Sequence, residues 1–218
     1  MSIQLVIFDL DGTLIDSRQD LANAVNATRA HMGLGPLDNQ RVYSFVGNGA
    51  PELIRRSLAN AAGDAEISSA TKFFLAYYRA HVLDSTTLFP GVKESLERLH
   101  NAGKRMAVLT NKPEGMSRAI VEGLGTAGYF FRVYGGDSLE TRKPDPMGVA
   151  ALMRDAGSTR ATTVMVGDSS VDVVTARNAG IACCAVTYGF QPETLAAPLP
   201  DLLVDHMEQV VEWILSRP

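Results

Sequence analysis

The chain has 218 residues, 46% of them hydrophobic, and a net charge of −4 with acids and bases mixed along its length. That length and apolar content suit one large domain, or a domain with an insert, around a sizeable core. No Lys/Arg run offers a face for nucleic acid, no apolar run approaches the ~18 residues of a membrane span, and the start, MSIQLVIFD, lacks the pattern of a signal peptide.

In chain order, the first apolar run is Leu5–Phe8, read as a buried strand that closes on Asp9, with Asp11 and Gly12-Thr13 just beyond. Residues 16–88 then break any strand rhythm. Ser17 and Asp20 have N-cap spacing, and Leu21, Val25, Thr28 and Met32 make one helical stripe. GNGAPELIRRSLANAAG predicts a helix with Pro51 in its first turn, and Glu66 to Val82 predicts another. With no convincing strand between them, 16–88 is expected to be a helical insert, and Phe89-Pro90-Gly91 the return linker. The main domain is then discontinuous, 1–15 with 89–218.

After the linker comes a second buried strand, Met106–Leu109, then a helix from Lys112 to about Leu124 and a weaker strand at Arg132–Tyr134. A helix over Asp145–Ala156 stops at Gly157, and a third buried strand follows at Val164–Val166. The next helix starts at Ser169, which has capping-box spacing to Asp172, and ends at Gly180. Cys183–Val186 is the fourth buried strand, Leu202–Val204 a weaker one, and Met207 to Ser216 a closing amphipathic helix. Alternating strands and helices predict an α/β domain on a mostly parallel sheet. The cysteines, Cys183 and Cys184, are adjacent and would point to opposite faces of a strand, so no disulfide joins them and a reduced, cytoplasmic setting is expected. The four histidines show no metal-ligand spacing.

In an open α/β sheet, ligands bind beyond the carboxyl ends of the strands. There the chain places Asp9 and Asp11, then Thr110 and Asn111, then Asp168 and Asp172, with Lys143 in the loop TRKPDP. Several carboxylates, one lysine and one hydroxyl suit Mg²⁺ and a phosphate: the cation is hard and takes oxygen, and the lysine neutralises phosphate charge the metal leaves over. Alternation in an extended segment puts Asp9 and Asp11 on one side of the chain. One carboxylate can attack phosphorus while its other oxygen binds metal; the second can give a proton to the leaving oxygen and take one from water.

DLDGT after an apolar strand, Thr110 after another, Lys143 in KPDP, and GDSSVD resemble, in order, the four motifs of the haloacid dehalogenase superfamily. The resemblance spans residue 5 to about 190 and implies a Rossmann-like parallel-sheet core with a small, mobile helical cap inserted after the first strand. It implies Asp9 as a nucleophile that becomes an aspartyl phosphate and Asp11 as general acid/base, with its backbone carbonyl on the metal. Thr110, Asn111 and Lys143 would hold the phosphoryl group, Asp9 and Asp168 would bind Mg²⁺, and Asp172 would lie just outside the metal's own ligands. FDLDGTLIDS, FVGNGAPELIRRSL, VLTNKPE, GGDSLETRKPDP and GDSSVDVVTARNAG are most similar to segments of the phosphoglycolate phosphatases. That places a specificity loop at Gly47-Asn48-Gly49, with Arg55 and Arg56 as further cap contacts to a small phosphorylated metabolite.

Plainer readings stand beside these. Asp172 can simply cap the helix at Ser169, Asn111 can bond backbone, and Arg55 and Arg56 can be solvated. Another phosphorylated metabolite (a sugar phosphate, amino-sugar phosphate, nucleotide or pyrophosphate) remains an alternative substrate, and monomer and homodimer are both open. A phosphoaccepting signalling domain shares part of the inventory, but it needs neither an insert nor a proton-transfer group two residues from the phosphorylated aspartate.

Overall fold

The computed structural model describes residues 2–58 and 63–217. The first apolar run is strand β1 (Leu5–Phe8), buried at all four positions, as a strand without polar alternation must be. After β2 (Ile15–Asp16) come four helices, α1 (Arg18–His31), α2 (Asn39–Tyr43), α3 (Ala50–Ser57) and α4 (Asp64–Ala80), and then β3 (Thr87–Leu88). There follow α5 (Val92–Asn101), β4 (Arg105–Leu109), α6 (Glu114–Gly123), β5 (Phe130–Tyr134), α7 (Met147–Ala156) and β6 (Thr163–Gly167). The chain ends with α8 (Ser170–Ala179), β7 (Ala182–Val186), β8 (Leu202–Val204) and α9 (Met207–Leu215).

Among the described residues six strands form one sheet in the order β5-β4-β1-β6-β7-β8, every paired neighbour parallel. This is the expected α/β architecture with β1 central. Phe8 pairs with Val108 on one side and with Val166 on the other, so the carboxyl ends of β4, β1 and β6 stop at one level. That register is what gathers the polar residues after each strand. One core cluster contains Leu5 and Ile7 of β1, Ala107 and Leu109 of β4, Val149 and Leu152 of α7, and Val173 and Ala176 of α8. Gly157 and Gly180 end α7 and α8 in the left-handed conformation that glycine adopts without a Cβ clash.

Two compact units result. One is the chain up to Asp16 together with Leu88 onwards, and the other is Ser17–Thr87. The chain crosses between them at the two-stranded ribbon of β2 and β3. This ribbon, the short helix α2, capped by Asp38, and helix α5 were not expected. Helix α5 buries Val92, Leu96 and Leu99 at a regular helical spacing that follows directly on the return linker. In GNGAPELIRRSLANAAG, residues 59–62 lie outside the described residues. The stripe Leu21, Val25 and Thr28 is buried as expected, and Met32 caps α1.

The expected capping role of Asp20 needs correction. Its Oδ2 accepts from Ser85 N–H (3.0 Å), Thr86 N–H (2.9 Å) and the Thr86 hydroxyl (2.7 Å). Three tertiary donors outweigh one local N–H for a buried carboxylate. Cys183 and Cys184 are free, buried thiols of β7, and burial pushes Cys184 up to about 12. No helix among the described residues is long and apolar enough to cross a membrane.

Candidate active site

Asp9 extends β1 by one residue, its N–H donating to Val166 O at 2.9 Å. The chain then turns away at Gly12, whose φ of 84° favours glycine. A Cβ there would stand 2.2 Å from Asp168 Oδ2, so the turn and the carboxylate after β6 need that missing side chain. Gly189 approaches Asp168 as closely from the loop after β7.

The carboxylates of Asp9, Asp168 and Asp172 are buried, and each offers an oxygen within 4.8 Å of the others. Lys143, whose side chain is 2% exposed, sits among them with Nζ 2.8 Å from Asp9 Oδ1 and 2.7 Å from Asp172 Oδ1. The contact to Asp9 is an ion pair without the alignment of a hydrogen bond, whereas that to Asp172 is a hydrogen bond. Asp168 Oδ2 accepts from Phe190 N–H at 2.7 Å, and Oδ1 accepts from the Thr13 hydroxyl at 3.4 Å. Asp172 serves two purposes at once. Its Oδ2 accepts from Asp168 N–H (3.2 Å), Ser169 N–H (3.1 Å) and the Ser169 hydroxyl (2.8 Å), closing the start of α8, while Oδ1 holds Lys143.

The electrostatics follow from three buried acids around one ammonium. Burial pushes the Asp9 carboxyl up to about 6, with Lys143 opposing and Asp172 adding. Burial, then the Asp172 and Asp9 carboxylates, hold Asp168 well above the usual carboxylate range. Burial alone would lower Lys143, but the Asp172 and Asp9 carboxylates outweigh it and raise it. An excess of hard, buried oxygen donors, one of them on Asp9 without an aligned hydrogen bond, fits a divalent cation, which would reverse these shifts.

The other core residues take supporting positions. Asn111 Nδ2 donates to Lys143 O at 3.1 Å, fixing the backbone that carries the lysine. The Thr110 hydroxyl accepts from Lys112 N–H at 3.3 Å. Lys112 was expected only to open a helix; that helix begins at Glu114, and Lys112 is buried in the site. Its Nζ lies 2.8 and 2.9 Å from the two oxygens of Asp11. The signal was its position, directly after Thr110-Asn111 at a strand's carboxyl end. Thr13 and the Phe190 N–H were also missed, since nothing in their residue types advertises a carboxylate partner.

The remaining candidates belong to the other unit. Gly47 and Gly49 have φ of 117° and 84°, and Gly49 directly precedes α3, with Pro51 in its first turn. Asn48 is half-buried. Arg56 Nε donates to Glu52 at 2.8 Å, while Arg55 lies at longer range from Glu52 (3.8 Å) and Asp64 (3.5 Å), its side chain 54% exposed.

Comparison with known proteins defines the class. Residues 6–186 match the haloacid dehalogenase-like hydrolase family, and the chain belongs to that family. It is therefore an enzyme, a hydrolase, and its curated relatives are phosphoric monoester hydrolases. It is 39% identical to a phosphoglycolate phosphatase of Pseudomonas fluorescens over 98% of this chain and 80% of that one. It is 41% identical to the phosphoglycolate phosphatase of Chromobacterium violaceum over 90% of this chain and 91% of that one. A Haemophilus somnus crystal structure, described as a predicted phosphoglycolate phosphatase, superposes with a TM-score of 0.92 at 31% identity, covering 98% of each chain.

Proposed function

We propose that this hydrolase is a Mg²⁺-dependent phosphomonoesterase acting on 2-phosphoglycolate through a phosphorylated Asp9. The observation that carries the reading is the cluster of Asp9, Asp168 and Asp172 around the Lys143 ammonium. The two relatives named phosphoglycolate phosphatase support the substrate.

Asp9, Asp168 and the backbone carbonyl of Asp11 would hold the Mg²⁺, which when bound neutralises phosphate charge and makes phosphorus a better electrophile. An Asp9 carboxylate oxygen attacks phosphorus as the ester P–O bond breaks. Asp11, as the acid, gives its proton to the departing oxygen. Asp11, now the base, takes a proton from water, whose oxygen attacks the phosphorus and frees phosphate and Asp9. Lys143 and Thr110 hold phosphoryl oxygens; Asn111 keeps Lys143 in place through its carbonyl. Asp172 orients Lys143 and closes α8, which leaves the metal to Asp9 and Asp168.

Selection among substrates we assign to the inserted unit 17–87, through Asn48, Gly49, Arg55 and Arg56. The test is phosphate release from a panel of phosphorylated metabolites, with and without Mg²⁺. 2-Phosphoglycolate is expected to lead, and Asp9→Asn to abolish turnover while the protein stays folded. Turnover by that variant, or in excess chelator, removes the mechanism. A sugar phosphate as the better substrate removes the specific assignment.

A further inference from the structure

Six charged side chains belong to the core site: Asp9, Asp11, Asp168, Asp172, Lys112 and Lys143. Lys143 is committed to Asp9 and Asp172. Lys112 lies against both oxygens of Asp11, at 2.8 and 2.9 Å, with its own side chain 4% exposed and that of Asp11 12%. Its backbone is fixed as well. The Lys112 N–H donates to the Thr110 hydroxyl, and the Lys112 carbonyl accepts from Gly136 N–H at 2.9 Å. Gly135 and Gly136 press so closely on this turn that a Cβ on Gly135 would stand 2.6 Å from the Lys112 carbonyl oxygen.

From this geometry we infer that Lys112 is the positioning residue for Asp11: it holds that carboxylate in the orientation that proton transfer at the leaving oxygen requires. An ammonium bonded to both oxygens of a carboxylate restrains its rotation about the Cβ–Cγ bond, and a buried stem restrains the ammonium. Asp11 sits beyond the end of β1, just before the turn at Gly12, and its carboxylate is oriented through side-chain contacts. Proton transfer needs the carboxyl within hydrogen-bond reach of the oxygen it serves. Lys112 keeps its proton throughout; Asp11 takes a proton from water on one oxygen, with the Lys112 ammonium staying on the other, and gives that proton to the departing oxygen of the next turnover. The inference rests on the phosphomonoesterase reading above.

The experiment compares Lys112→Met with wild type on three phosphate esters: 2-phosphoglycolate, ethyl phosphate and p-nitrophenyl phosphate. The two alkyl esters leave as strongly basic alkoxides and need the proton; p-nitrophenolate leaves without it. If Lys112 positions Asp11, kcat for both alkyl esters falls at least tenfold more than kcat for the aryl ester, within the roughly 10²–10⁴-fold span of a general acid/base group. Lys112→Arg restores part of the loss, and in an Asp11→Asn background Lys112→Met has no further effect on the alkyl esters. Equal losses on all three esters, or additive effects with Asp11→Asn, overturn the inference. A loss confined to 2-phosphoglycolate also overturns it, because Lys112 then binds the substrate's carboxylate instead. Should Lys112→Met not fold, the Lys112→Arg ratios of alkyl to aryl rates decide, a ratio unchanged from wild type counting against the inference. Failure of wild type to hydrolyse any of the three defeats the underlying reading and is distinct from these outcomes.

Discussion

Lys143 is the residue on which the site's charge balance turns. Three buried carboxylates converge, and its ammonium forms ion pairs with two of them. Removing one partner of a buried ion pair costs about 3–5 kcal/mol, because the charge left behind has no water. Lys143→Met is therefore expected to lose about that much in denaturant melts run in chelator, and to regain part of it in excess Mg²⁺. A loss below about 1 kcal/mol would mean that the acids are already neutral or solvated. The pH dependence follows from the same cluster. Asp9 is raised to about 6, and Asp168 is raised too. The metal-free folded state thus binds more protons than the unfolded chain, and its stability falls as pH rises from about 4 through 6. Bound Mg²⁺ needs the ionised carboxylates, so its stabilisation should be larger at pH 7.5 than at pH 5. Melting temperatures at both pH values, with chelator and with Mg²⁺, check this; an equal Mg²⁺ effect at the two would contradict it.

At the scale of elements, the level carboxyl ends of β4, β1 and β6 do the assembling, and short polar segments after them finish it. Asp172 shows how one residue joins both tasks. It closes the first turn of α8 through Oδ2 and aims Lys143 through Oδ1, so the helix start and the Lys143 ammonium are mechanically one feature. In the inserted unit Asp20 has the comparable structural part, tying the first turn of α1 to Ser85 and Thr86 just before β3. Hydrogen bonds to a charged group contribute about 1.5–3 kcal/mol. Asp20→Ala should destabilise the insert by about 2–4 kcal/mol, since the donors it leaves are only partly rehydrated. Hydrogen exchange would register this as faster exchange at Ser85 and Thr86 and along α1, with β1, β4 and β6 unchanged. Uniform acceleration across both units would show that they unfold together.

For the whole molecule, our proposal divides the labour between two compact units: reaction groups in one and selection in the other. Of the two arginines on α3, Arg56 is engaged by Glu52 at 2.8 Å, whereas among the described residues Arg55 makes only long contacts and is the freer cation. Arg55→Ala is expected to lower kcat/KM for 2-phosphoglycolate about ten- to a hundredfold, the value of one charge-assisted hydrogen bond, and to spare an uncharged aryl phosphate. Its effect on stability should stay within about 0.5 kcal/mol, as for other exposed pairs. Equal effects on both substrates would remove Arg55 from selection.

Read alone, the sequence determined the main strands and the polar residues that follow them at one edge of the sheet. Each of these is a local property: an unbroken apolar run such as Leu5–Phe8 has to be buried, and a carboxylate directly after it has to lie at the sheet's carboxyl edge. Helix α5 is equally local, with Val92, Leu96 and Leu99 on one face directly after the linker. What only the tertiary structure decided was which charge meets which. Lys112 and Asp11 are 101 positions apart, Lys143 and Asp172 are 29, and Asp20 and Thr86 are 66. A charged side chain is a few ångströms long and finds its partner only after register and turns bring distant backbone together. So Asp20 reads as a helix cap until Thr86 arrives, and Lys112 reads as the start of a helix until β1 and β4 lie side by side and set it against Asp11.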